Sequence, residues 1–86
     1  MRVMRFNSLQ DATNATQEDL VAEYRNVRIA DDHEFPSNLD RDRYARAIYT
    51  MGSFLYGHEF IAEVGAEPES PDVMIQEGRY PHRARY

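Results

Sequence analysis

The sequence predicts a mostly α-helical domain: two main antiparallel helices, at about 16–30 and 37–64, with a short extended N-terminal segment and an irregular C-terminal tail. Three observations carry this. Apolar residues recur at helical spacing in both windows. A hydroxyl residue with Asp three positions later precedes each window, Thr16 with Asp19 and Ser37 with Asp40. The stretch from Ala47 to His58 holds no Asp, Glu, Lys or Arg, in a chain that is 29% charged. That stretch is shorter than the ~20 apolar residues a bilayer-spanning helix needs, so it reads as core.

Residues 2–9 read as a short strand, with Val3 on one side and Met4 and Phe6 on the other. Asp11 to Ala15 is polar and reads as a turn. From Thr16 a helix follows, with Glu18 and Asp19 at the positive end of its dipole. Leu20, Val21, Tyr24 and Val27 make its apolar stripe. The acids and Pro36 of the 31–36 segment break the helix near Ala30, because the residue before proline is pushed toward extended geometry.

The second helix starts at Ser37. Tyr44, Ile48, Met51 and Leu55 form one face, Ala45, Tyr49, Gly52 and Tyr56 a second, and Ala47, Phe54 and Ile61 a third. Tyr24, Ile48, Met51 and Leu55 are the expected core. A helix apolar around so much of its circumference packs on more than one side. The expectation is therefore a homodimer through Ala45, Tyr49, Gly52 and Tyr56. A glycine inside a helix costs ~1 kcal/mol relative to alanine, so Gly52 marks a close approach. Gly57 leaves two readings: the helix ends there and a strand follows, or it continues to Val64 with a kink. Phe60 with Val64, and Glu59 with Glu63, suit continuation, which is the expectation adopted.

Residues 1–65 make the helical domain, and 66–86 a Pro-rich acidic linker with a basic-aromatic tail. Val73 to Ile75 is the tail's one apolar cluster, expected to clip back onto the helices. A single domain of 86 residues without cysteine excludes disulfides, thiolate metal sites and cysteine nucleophiles. No apolar run follows Met1, so no signal peptide or membrane anchor is expected and the expected location is cytoplasmic.

The histidines and carboxylates form no recognisable chemistry. His33 lies in an acidic loop, His58 is expected in the core, and neither stands at metal-motif spacing. Ser53 and His58 are on different helical faces, and Glu59 with Glu63 is an exposed pair. No catalytic residue, metal or cofactor is expected, and the chain reads as non-enzymatic.

The net charge is −5, with two blocks of −6: residues 6–40 carry eight acids and two arginines, residues 59–78 six acids and no arginine. Such a surface suits a basic protein partner. The expected contacts are Glu18, Asp19, Glu23, Asp31, Asp32, Glu59 and Glu63, with Tyr49 and Tyr56 as aromatic anchors if no dimer covers them. One concrete version is a phage- or plasmid-type inhibitor that shields a nucleic-acid-handling protein. A structural or assembly subunit is an alternative.

A second alternative uses the basic ends, Arg2, Arg5, Arg79, Arg83 and Arg85, to bind DNA. The order of a short segment with Arg2 and Arg5 and then two helices resembles the ribbon–helix–helix repressors of toxin–antitoxin systems. That resemblance implies a DNA-reading dimer whose acidic tail wraps a toxin. It is one of topology: the alternation in residues 2–9 is imperfect, and a long Pro loop replaces the tight turn of that family. The chain is not assigned to it.

Overall fold

Capping chemistry sets where the helices begin. The computed structural model describes residues 4–80, except the side chain of Asp32. It comprises α1 (Leu9–Thr13), α2 (Gln17–Arg28), a 3-10 turn (Asp32–Glu34), α3 (Asn38–Tyr56), α4 (His58–Val64) and α5 (Pro71–Gln76), with no strand among the described residues. At α2, Thr16 Oγ1 accepts from the Asp19 amide (3.1 Å) and the Asp19 carboxylate accepts from the Thr16 amide (3.2 Å). This is the full capping box, and it satisfies two of the amides a helix start leaves unpaired. Ser37 caps α3 through the Asp40 amide, and Ser8 caps α1 through the Asp11 amide.

The N-terminal strand expectation is corrected here. Met4 to Phe6 form no regular structure, and residues 1–3 lie outside the described residues. The Phe6 amide, which a strand would pair in a ladder, donates to the Tyr44 hydroxyl at 3.1 Å. The polar turn expected at 11–15 is in part α1, whose Ala12 is fully buried.

The second long helix is two. α3 stops and α4 starts at Gly57, which sits at φ 61°, ψ −135°. An L side chain is strained there, whereas glycine adopts it without penalty. The Gly57 amide still closes α3 onto the Ser53 carbonyl at 2.8 Å, and its own carbonyl accepts the Ile61 amide at 3.2 Å. A helix continuing through 37–64 is therefore replaced by a helical corner.

That corner brings Phe60 onto Gly52. A Cβ at Gly52 would lie within 2.6 Å of three Phe60 ring atoms, so only glycine leaves room for the ring. Phe60 is fully buried, and its ring meets Tyr49 (centroids 5.8 Å) and Tyr24 (6.4 Å) edge-on. Tyr24 and Tyr49 are 5.7 Å apart. Leu20, Val27 and Ile48, also fully buried, complete the centre. Burying each such side chain contributes about 1.5–3 kcal/mol. Tyr24, Ile48 and Met51 are buried as expected, and Leu55 is half-buried at the core's margin.

α2 and α3 run antiparallel. At one end the Tyr56 hydroxyl donates to the Ala15 carbonyl at 2.8 Å, and at the other Arg41 reaches the Ala30 carbonyl at 3.4 Å. The face assigned to a homodimer is filled within the chain. Ala45 and Tyr49 are buried, Gly52 is covered by Phe60, and Tyr56 is bonded to the α1–α2 turn. Of the third face, Phe54 stands 73% exposed while Ile61 packs at the core's edge, because the corner rotates α4 away from α3's register.

The segment after Gly65 is not an irregular tail as far as it is described. Ser70 caps α5, Pro71 occupies its first turn, and Gly78 (φ 70°) ends it. The Arg79 amide bonds the Met74 carbonyl (2.8 Å) and the Gly78 amide the Ile75 carbonyl (3.0 Å), a Schellman turn. α5 does lie back on α3, but Pro71 is its buried residue while Val73 and Ile75 remain 41% and 45% exposed.

Candidate acidic interface

The nine residues singled out from the sequence fall into separate places. Glu18 at the start of α2 and Glu63 at the end of α4 line one shallow groove of about 550 Å³, with Gln17, Val21, Ala22 and Arg25. Glu59 stands one turn before Glu63 on α4 and is exposed. Helix geometry puts that pair on the same face, about 5–6 Å apart at Cβ. The groove exists because the Gly57 corner lays α4 along α2; a straight helix to Val64 would carry these carboxylates away from Glu18.

Glu18 and Glu59 make no ion pair among the described residues. Glu63 is held lightly: Arg25 donates to its backbone carbonyl at 2.7 Å and approaches its carboxylate at 3.5 Å, with both side chains more than half exposed. An exposed pair of this kind contributes 0–1 kcal/mol, little enough for a partner's cation to replace Arg25.

The other residues are engaged elsewhere. Asp19 is spent on the α2 cap, though still exposed. Asp31 caps the 3-10 turn at the far end of α2, accepting from the His33 amide at 2.8 Å. The side chain of Asp32 lies outside the described residues.

Glu23 is a correction to the surface expectation. It is 5% exposed, and its Oε2 accepts the Tyr44 hydroxyl proton at 2.9 Å. Tyr44 in turn accepts from the Phe6 amide, so the trio ties the N-terminal segment to α2 and α3. Burial pushes the Tyr44 hydroxyl up to about 12, and the bond to Glu23 adds to the rise.

Tyr49 and Tyr56 are also internal. Tyr49 donates to the Gly65 carbonyl at 2.8 Å, and burial raises its pKa above the ordinary value. Tyr80 donates to Asp42 at 2.6 Å, and Tyr24 accepts from Arg28 at 2.8 Å. Tyr44, Tyr49, Tyr56 and Tyr80 are thus staples, each hydroxyl tying segments distant in the chain. A buried hydroxyl seeks such a partner.

His33 and His58 are on the surface. His33 is 92% exposed with Asp31 at 4.0 Å, and His58, expected in the core, opens α4 in solvent. No group of three metal-ligating side chains forms among the described residues. Nor is any helix among them long and apolar enough to cross a membrane.

The acids after Gly65 differ from those of the groove. Glu67, Glu69, Asp72 and Glu77 are each paired with an arginine of the chain. Arg79, offered as a DNA contact, is one of those partners. Arg5 lies over the Phe6 ring at 4.9 Å, and Arg2, Arg83 and Arg85 lie outside the described residues. The pairing of Glu67 and Asp72 has no sequence signal, because Arg46 and Arg43 are distant in the chain, whereas Arg79 lies only two residues from Glu77. Comparison with protein-family models, curated proteins and solved structures finds no significant match to this chain.

Proposed function

We propose that the chain is a non-enzymatic protein-binding protein whose α2–α4 rim receives a basic surface of a partner. The observation that carries this is the contrast among the acids. Glu18 and Glu63 line an open groove, with Glu59 exposed one turn before Glu63 on α4, and of the three only Glu63 has an internal tie, a weak one, while the acids of 66–80 are neutralised by the chain's own arginines. Val21 and Ala22 give the groove an apolar floor, so a basic segment with a small apolar side chain fits it. Opposite charge would speed the encounter and set its orientation. Nucleic-acid-handling proteins carry such basic surfaces, and shielding one is the inhibitor version of this role.

The test is affinity capture from the native host's lysate after nuclease treatment, run in parallel with the E18Q/E59Q/E63Q variant. A basic protein retained by the wild type and lost from the variant supports the proposal. Equal recovery by both contradicts it. Recovery that disappears with nuclease points instead to direct nucleic-acid binding.

A further inference from the structure

The charges of residues 66–80 are arranged as a detachable cover over α3. Two arginines one turn apart on α3, Arg43 and Arg46, are met by carboxylates of this arm. Arg43 grips Asp72 with two nitrogens, one at 3.2 Å from Oδ2. Arg46 bonds the Pro68 carbonyl at 2.6 Å and the Glu67 carboxylate at 3.0 Å. Tyr80 closes the far end on Asp42. The remaining acids, Glu69 and Glu77, are held inside the arm by Arg79, which stiffens the arm as a unit.

Apolar adhesion is slight by comparison. Pro71 is buried and Met74 half-buried beside Ala45, but Val73 and Ile75 stay exposed, and the Arg43–Asp72 pair is about half exposed on each side. Bonds of this kind are worth 0–1 kcal/mol each and weaken with salt. The root, in contrast, is fixed: the Tyr49 hydroxyl holds the Gly65 carbonyl, and Gly65 itself sits at φ 93°, ψ −159°. The arm therefore has a firm hinge and a weak grip, the combination that makes a segment open below the global unfolding free energy.

We propose that residues 66–80 mask an arginine pair on α3, and that an acidic segment of another protein chain displaces the arm and binds Arg43 and Arg46 in its place. The arm itself defines the chemistry recognised: carboxylates separated by prolines, as in Glu67 to Asp72, accepting from two guanidinium groups, Arg43 bidentately and Arg46 with one nitrogen on the carboxylate and one on a backbone carbonyl. This surface is distinct from the α2–α4 rim and opposite to it in charge.

The experiment uses the full chain. Amide exchange at 72–76 is measured in about 0.05 M and about 0.5 M NaCl, salts that bracket weak and strong screening. A synthetic peptide of residues 66–80, fluorescently labelled, is then titrated onto the wild type, onto E67Q/D72N and onto E67Q/D72N/R43S/R46S. The proposal expects exchange at 72–76 to rise about tenfold with salt while Ile48 and Tyr49 are unchanged, as loss of two exposed pairs would give. It expects the peptide to bind E67Q/D72N about tenfold tighter than wild type, and binding to vanish when the arginines are removed. Salt-independent exchange, or equal peptide binding by all three proteins, overturns it. A short DNA duplex that binds E67Q/D72N through the two arginines where the peptide does not would overturn the assigned partner class. Circular dichroism melts of each variant separate loss of binding from loss of fold.

Discussion

Gly52 and Phe60 are complementary: the ring of one fills the space left by the missing side chain of the other. In an ordinary helix interior, Gly→Ala gains about 1 kcal/mol. Here Gly52→Ala reverses that sign, losing about 1–3 kcal/mol in denaturant melts because the added carbon overpacks a fully buried ring. Phe60→Leu in the Gly52→Ala background recovers part of the loss. A stabilised Gly52→Ala protein would mean α4 does not fold back onto α3.

The corner itself is testable at Gly57. Its positive φ, at ψ −135°, makes Gly57→Ala unfavourable by about 1–3 kcal/mol even though nothing lies within 4 Å of the new carbon. The loss is one of backbone strain, not crowding. Crystallography or NMR of the variant checks this, with either a distorted corner or a lowered melting temperature as the expected result.

The Tyr44 hydroxyl predicts an alkaline loss of stability. Its pKa is 10.0 in the unfolded chain and about 12 in the fold. Below pH 10 the phenol is neutral in both states and its contribution is fully present. Between pH 10 and 12 the unfolded chain releases the proton and the folded chain keeps it, so stability falls as pH rises through this window. The share due to Tyr44 is about 1–2 kcal/mol, after allowing for solvent near the group. Tyr44→Phe is less stable at neutral pH, because Glu23 and the Phe6 amide lose a partner, and its alkaline slope is shallower. Equal slopes for the two proteins, measured by urea melts from pH 9 to 12, would contradict the assignment.

Tyr49 and Tyr56 provide the contrast between staple and anchor. Tyr49→Phe and Tyr56→Phe each cost about 0.5–1.5 kcal/mol through one lost hydrogen bond to Gly65 or Ala15. Sedimentation of both variants matches that of the wild type, since both hydroxyls are bonded within the chain. A change in association state on either substitution would restore them as interface residues.

Much of this architecture is legible in local sequence. Thr16 with Asp19 and Ser37 with Asp40 mark two helix starts because a cap needs only residues three apart. Ser8 with Asp11 carries the same signal, but the short α1 lacks an apolar repeat to draw attention to it. Gly57 marks a break or kink in the sequence, but the restart of a helix after it is not legible, because Phe60 and Val64 have the same spacing in a continued helix and in a restarted one. Glu23 and the tyrosines misled for a different reason: their partners are distant. Tyr44 is 21 residues from Glu23, and Tyr56 is 41 from Ala15. The same holds for the arm, where Arg43 and Asp72, 29 apart, decide which acids remain available.

The most direct measurement of the functional account is a heteronuclear NMR titration of the full chain with a poly-arginine peptide. The account predicts that amide shifts concentrate on Gln17 to Arg25 and His58 to Glu63, and that E18Q/E59Q/E63Q removes them. Shifts centred on Glu67 to Glu77, or spread evenly over every exposed acid, would contradict the claim that the α2–α4 rim is the chain's open acidic surface.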